Sequence, residues 1–161
     1  MFDDYISSYG RRLFGLCQKL CSDHEDAEDL YQETWMKAYK SFGKYDGGKE
    51  FEAWLTSICV NAYRDLLRRQ RWKSLLVHFD TNEEKDLVMA TIPAPEATEG
   101  SDVRDAVNEL PEKYRLVVIL YYFNGLDIEK TSGILGIPPG TAKYQLHRAR
   151  ELLRGRLDHA G

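Results

Sequence analysis

Near the C-terminus the chain runs GIPPGTAKYQLHRARELLR, Gly136 to Arg154, and this stretch gathers side chains suited to nucleic acid. Arg and Lys fit the acceptors of guanine and Gln fits adenine. A helix start, here spanning Pro139, Gly140 and Thr141, offers backbone donors to phosphate. The helix that follows buries Ala142, Leu146, Ala149 and Leu153. It exposes Lys143, Tyr144, Gln145, His147, Arg148 and Arg150. A second concentration of base ends an earlier amphipathic run at RDLLRRQRWK, with Arg64, Arg68, Arg69 and Arg71. A third set, Cys17, Cys21 and His24 with Cys59, holds metal-ligand types, but its spacing fits no common structural zinc site. Cys17 lies on an apolar stripe, where a free Cys behaves as a small hydrophobe. No phosphate-binding Gly-rich loop, HExxH pair or nucleophile–base pair occurs, so no catalytic residue, metal or cofactor is expected and an enzyme is the least favoured class.

Positioning two basic faces requires a scaffold, and 161 residues with 43% apolar and 12% aromatic content can build one domain or two small ones. The net charge of −4 conceals a segregation. Seven acids against the single base Lys85 lie between Asp80 and Asp102, flanked by the two basic helices. A mildly acidic total is compatible with nucleic acid when positive charge is concentrated on chosen faces. No long apolar run suggests a membrane span. The opening MFDDYISSYGRR lacks the apolar stretch of a secretory signal. Three cysteines without a disulfide framework favour a reducing, cytoplasmic setting.

The elements are all helical. Ile6, Tyr9, Leu13, Leu16, Cys17 and Leu20 mark a helix over residues 5–21, and Ser22 to Glu25 fits a capping box for the next. That second helix, Asp26 to about Phe42, turns Ala27, Leu30, Tyr31, Thr34, Ala38 and Phe42 inward. Gly43–Lys49 is a glycine-rich turn. The third helix, Phe51 to about Trp72, carries Phe51, Trp54, Leu55, Ile58, Ala62 and Leu66 on its apolar side. Residues 74–101 read as an acidic flexible linker, in which LLVHF is either a short strand or the frayed end of the third helix. Beyond it, Val103, Ala106, Val107 and Leu110 share a helical face, and Pro111 opens a new helix. The β-branched run LVVILYYF is assigned to that helix because no partner strand exists. Asp127 suits an N-cap, Gly136 a left-handed stop, and Pro139 the first position of the last helix. Together these spell a helix-turn-helix, whose second helix enters the major groove.

The stretch LDIEKTSGILGIPPGTAKYQLHRARELLR resembles region 4 of the extracytoplasmic-function (ECF, group IV) RNA polymerase sigma factors. DAEDLYQETWMKAYKSF, Asp26 to Phe42, resembles their region 2.2, and FEAWLTSICVNAYRDLLRRQRW, Phe51 to Trp72, their regions 2.3 and 2.4. The resemblance implies two all-α units. Region 2 would cover residues 1–73 and region 4 residues 102–161, joined by a linker at 74–101. It implies binding to core RNA polymerase and promoter DNA, and an anti-sigma factor as a further partner, with no membrane insertion of this chain. Asp26, Asp29, Gln32 and Glu33 would meet the polymerase. Lys44, Asp46 and Lys49 in the turn, with Trp54, Asn61, Arg64, Arg68, Arg69 and Arg71, would capture the opened −10 element. Pro139, Gly140, Thr141, Lys143, Tyr144, Gln145, His147, Arg148 and Arg150 would meet the −35 element. Each assignment competes with a plainer one: Trp54 also fits the core, and the α-helical acids fit a solvated helix start.

Several positions depart from the family pattern. Thr131 and Ser132 stand where the family prefers an apolar residue and Ala, which weakens the expected local core. Tyr144 and Gln145 replace the commoner Ser and Arg, implying a distinct −35 preference. Members usually carry one more helix ahead of residues 5–21, so an N-terminal unit that is smaller, or patched by a partner, is expected. The competing classes are a stand-alone helix-turn-helix regulator and a helical protein-interaction module.

Overall fold

A computed structural model describes residues 2–48, 50–80 and 101–160, all of whose regular structure is helical. Helix α1, Phe2–Leu20, places Asp3 and Asp4 in its first turn and Lys19 in its last, matching the helix dipole. Leu13, Leu16, Cys17 and Leu20 are buried at steps of three and four. Gly10 lets α1 approach α2 closely, since a Cβ there would meet the Tyr31 hydroxyl at 3.0 Å.

Helix α2, His24–Ser41, is capped by Asp23, whose carboxylate accepts from the Glu25 amide at 3.1 Å. The expected cap at Ser22 is thereby corrected: Asp23 adopts the extended backbone that an N-cap needs. Ala27, Leu30, Thr34, Trp35 and Ala38 are buried, and the Thr34 hydroxyl donates to the Leu30 carbonyl at 2.7 Å. A short 3-10 turn, Phe42–Lys44, ends this helix.

Helix α3, Phe51–Asp80, is longer than its sequence suggests. Residues 75–79, left open between strand and helix end, are helical. Leu75 and Leu76 are about half exposed, at 50% and 49%, so no buried side marks their periodicity. The core side of α3 is Phe51, Leu55, Cys59, Val60, Ala62 and Tyr63. Trp54, Ile58 and Leu66, expected on it, only flank it.

The C-terminal unit comprises α4 (Ser101–Asn108), α5 (Glu112–Val118), a π-turn (Ile119–Phe123), α6 (Ile128–Leu135) and α7 (Pro139–Ala160). Ala106, Val107 and Leu110 are buried as expected, but Val103 is 51% exposed, a correction to the expected face. Pro111 caps α5 in extended geometry. The run LVVILYYF is helical, and its last turn widens so that the Asn124 amide reaches the Ile119 carbonyl at 3.0 Å.

Asp127 caps α6 by accepting from the Lys130 amide at 2.8 Å. Gly136 then stops it in left-handed geometry, φ 72°. The Gly136 and Ile137 amides both turn back to the Ser132 carbonyl, and Pro139 begins α7. Thr131 and Ser132 are buried, yet each hydroxyl finds a backbone acceptor, Leu126 at 3.5 Å and Glu129 at 2.9 Å. These bonds offset the desolvation that an unpaired hydroxyl would suffer. One continuous apolar core runs from α1–α3 into the C-terminal unit, and α3 packs against α6.

Two substitutions probe the turn. Gly136→Ala should cost about 1–2 kcal/mol, because open space surrounds the site and only the backbone conformation resists a Cβ. Asp127→Ala should cost about 1 kcal/mol. Thermal unfolding followed by circular dichroism should show each lowering Tm by roughly 2–4 °C per kcal/mol.

Candidate nucleic-acid interface

Helix α7 is anchored by Ala142, Leu146 and Ala149, all buried. Its other side is outward. Thr141, Tyr144, Gln145 and Arg148 share one stripe at steps of three and four, with Lys143, His147 and Arg150 beside it. All are exposed except Gln145, which is half-buried, and Pro139 and Gly140 are exposed in the first turn. Glu151 organises part of this face. It pairs with Arg148 at 2.9 Å and with His147 at 3.1 Å, and the Arg148 hydrogen bond holds its carboxyl below the usual range. Sequence reading passed over Glu151, although its i+3 and i+4 spacing announced both pairs. Arg150 is drawn aside: its Nε donates to the Tyr122 hydroxyl, and its guanidinium lies 5.5 Å from that ring.

On α3, Asn61, Arg64, Arg68 and Arg71 recur at helical steps and make one outward stripe. Asn61 and Arg68 are exposed, and Arg64 is half-buried. Arg69 leaves the stripe and turns to α2, where it pairs with Glu33 at 3.0 Å. Lys37 bridges Glu33 at 3.4 Å and Asp65 at 3.2 Å, and Asp65 also holds Arg68. Asp65 is a residue the sequence reading missed; it fixes Arg68 from one turn away. Arg64 donates to the Leu135 carbonyl at 3.3 Å, and Arg71 pairs with Glu112 at 2.9 Å.

The turn after α2 brings aromatic side chains together. Tyr45 lies between Lys44 and Asp46 and stands 4.9 Å, ring centre to ring centre, from Trp54. Trp54 is half-buried and also meets Phe51 at 5.5 Å, so it forms a wall of the core with an open edge beside the turn. Asp46 is exposed and folds the turn by accepting from the Gly48 amide at 3.0 Å. Lys44 is exposed; Lys49 lies outside the described residues. Tyr45 was missed by sequence reading, although an aromatic residue among glycines was its available signal.

Along α2, Asp29 and Gln32 point outward and are exposed. Asp26 and Glu33 are half-buried and tied to α3, Asp26 through Gln70 at 3.2 Å. The four residues therefore divide into two that face solvent and two that orient the basic end of α3.

The cysteines are packed inside. The Cys17 and Cys59 sulfurs lie 3.8 Å apart, and this contact, with burial second, pushes the Cys17 thiol upward. Burial takes Cys21 to about 12. His24 instead pairs with Glu28 at 3.0 Å and sets its ring edge-on to Phe14. Among the described residues no group of three or more His, Cys, Asp or Glu is arranged to hold a metal, and no helix is long and apolar enough to cross a membrane.

Two family models match this chain: Sigma-70 region 2 over residues 5–73 and Sigma-70, region 4 over residues 101–153. The ECF RNA polymerase sigma factor SigW of Bacillus subtilis is 30% identical, with 97% of this chain and 88% of the relative aligned. The ECF RNA polymerase sigma factor SigE of Mycolicibacterium smegmatis is 33% identical over 95% of this chain, which spans 60% of that relative's length. Among solved structures, the sigma factor RpoE of Bartonella quintana, in complex with the anti-sigma factor NepR, superimposes with a TM-score of 0.78. It is 27% identical, and the match covers 98% of this chain and 96% of that one.

The Asp65 hub gives a pH-dependent expectation. Its carboxyl is held below the ordinary range, first by the Lys37 hydrogen bond and then by the charges of Lys37 and Arg68. A carboxyl whose folded value is depressed stabilises the fold above its unfolded value, about 3.9. That stability is lost as pH falls through the folded value. Asp65→Asn should therefore be less stable than the parent at neutral pH, by at most about 1 kcal/mol because the group is 43% exposed. The difference should vanish under strong acid, as urea unfolding across pH would show.

Proposed function

Since the chain belongs to the extracytoplasmic-function RNA polymerase sigma factors, we propose that it acts in the cytoplasm as a group IV member of that family. Residues 1–73 serve as region 2, 74–101 as the linker and 102–161 as region 4. The chain binds core RNA polymerase and confers promoter choice on it without catalysing a reaction itself. An anti-sigma factor is a further partner. The observation that carries this reading is the pair of basic stripes, one on α3 and one on α7, beside an acidic α2.

In this reading the α7 stripe lies in the major groove at the −35 element. Thr141, Tyr144, Gln145 and Arg148 approach base edges, with Lys143 and His147 nearer the backbone and the first-turn residues Pro139 and Gly140 against a phosphate. Arg150 supports the helix through Tyr122 and reaches phosphate from its flank. Gln145 in place of Arg shifts preference from guanine toward adenine.

Opening of the −10 element proceeds by capture. Unstacking a base costs a few kcal/mol, and a site for the extruded base offsets it. Lys44, Asp46 and Lys49 with Trp54 supply that site, and stacking on Trp54 contributes about 1–3 kcal/mol. Tyr45 deepens the aromatic surface. Asn61 meets a base edge, while Arg64, Arg68, Arg69 and Arg71 hold phosphates of the opened strand. Asp29 and Gln32 provide the exposed polymerase contact. Asp26 and Glu33 contribute charge while bracing α3.

Run-off transcription with core polymerase tests the assignment. Gln145→Ala should reduce output from a −35-dependent promoter by about 5- to 150-fold, the equivalent of about 1–3 kcal/mol, and relax discrimination at one base. Asp29→Ala with Gln32→Ala should weaken polymerase binding on every promoter. A chain that yields no promoter-specific transcript with core polymerase, yet binds duplex DNA alone, would instead be a stand-alone regulator.

A further inference from the structure

Between Pro139 and Arg156 the sequence sets Lys143, Arg148, Arg150, Arg154 and Arg156 against one acid, Glu151. An acid on a helix that meets phosphates lowers general affinity, because it repels them and cancels a neighbouring cation. Glu151 has no packing role to set against that cost, since its side chain is 48% exposed.

Its contacts supply a role. Glu151 Oε2 accepts from Arg148 Nη1 at 2.9 Å, and Oε1 faces His147 Nε2 at 3.1 Å. Both oxygens are engaged, from three and four residues back along α7. The Arg148 hydrogen bond holds the carboxyl below its usual range, so it stays ionised near neutral pH. Arg148 is left with a particular set of donors. A guanidinium is flat and rigid, and its Nε–H and one Nη2–H lie parallel along one edge. Glu151 takes Nη1, away from that edge. Among the described residues no hydrogen bond occupies Arg148 Nε or Nη2, and the side chain is 46% exposed. The free edge is the fork that fits O6 and N7 of guanine. Arg150 is held by a different kind of group. Its partner is the neutral Tyr122 hydroxyl, which leaves its charge uncompensated.

We propose that Glu151 is a positioning residue for base-specific recognition: it holds Arg148 as a fixed fork and, by cancelling its charge, keeps that arginine from settling on phosphate. Preference at one base pair then depends on Glu151, which touches no base itself. This rests on the reading of Arg148 as a residue that approaches base edges. An arginine without restraint samples many rotamers, and its full charge finds a phosphate on any sequence. The restraint exchanges general attraction for discrimination, and a partly exposed ion pair supplies roughly two- to fivefold of it.

Holoenzyme assembled from core polymerase and the full chain tests this. Its templates carry each of the four base pairs in turn at every −35 position of a promoter that the holoenzyme transcribes. Run-off transcription should show the parent favouring one base pair, at the position read by Arg148, by about 5- to 150-fold. Arg148→Ala should flatten that position and no other. Glu151→Gln keeps the size of the side chain and removes its charge. It should reduce the preference there by about two- to fivefold and raise output from the disfavoured sequences. In an Arg148→Ala background Glu151→Gln should add nothing, because Glu151 acts through that arginine. Arg148→Lys, which keeps the ion pair but lacks the fork, should behave as Arg148→Ala does. A purely structural Glu151 would instead change output equally on every sequence, with or without Arg148. That result, or an unchanged profile for Glu151→Gln, overturns the proposal. If Arg148→Ala flattens one position and Glu151→Gln leaves it intact, only the role of Glu151 fails. If Arg148→Ala flattens none, the base-edge reading fails and takes the role of Glu151 with it.

Discussion

A helix can bury only one side, and α3 spends that side on Leu55, Cys59, Val60, Ala62 and Tyr63 in the shared core. Everything functional about the N-terminal unit follows from that constraint. With its apolar side committed, α3 must show the rest of its circumference, and there the sequence places Asn61, Arg64, Arg68 and Arg71. The acidic inner edge of α2 then sets their azimuth through Glu33–Arg69 and Asp26–Gln70. The acids Glu33 and Asp26 thus brace the cationic helix, while farther out Asp29 and Gln32 leave a polar face exposed.

The C-terminal unit meets the same constraint by a different route. Its helices bury Leu116 to Leu120, Ile134, Leu135 and Leu146, and backbone geometry adds to the specification. Asp127 starts α6, Gly136 stops it, and Pro139 starts α7 in a direction fixed by the turn between them. Thr131 and Ser132 occupy core positions without leaving a hydroxyl unpaired. Their presence therefore does not hollow out the motif as their polarity suggests. The unit shares the continuous apolar core with the N-terminal unit, and at their seam the Arg115 Nε and the Tyr63 hydroxyl have no hydrogen-bond partner among the described residues.

The helix-turn-helix was legible because each of its signals is local: a capping acid, a left-handed glycine and a helix-starting proline. The apolar stripe of α1 was legible for the same reason. The C-terminal extension of α3 was not, since Leu75 and Leu76 lie half exposed and give no periodicity to follow. Trp35 was overlooked although it lies on the marked stripe, four residues after Tyr31 and three before Ala38. The ties from Arg64 to Leu135 and from Lys130 to Glu50 were out of reach altogether, spanning 71 and 80 positions of sequence. The family resemblance pointed to the arginines on α3 as DNA ligands; only the folded chain reveals what those arginines touch when DNA is absent.

The central claim is that α3 and α7 engage one promoter together, on the polymerase. Chemical footprinting of a promoter fragment with core polymerase and this chain tests it most directly. The account predicts two separated protected patches on the same DNA, with unpaired, permanganate-reactive thymines confined to the downstream one, and neither patch with polymerase alone. A single protected patch that forms without polymerase and never opens the duplex would contradict it.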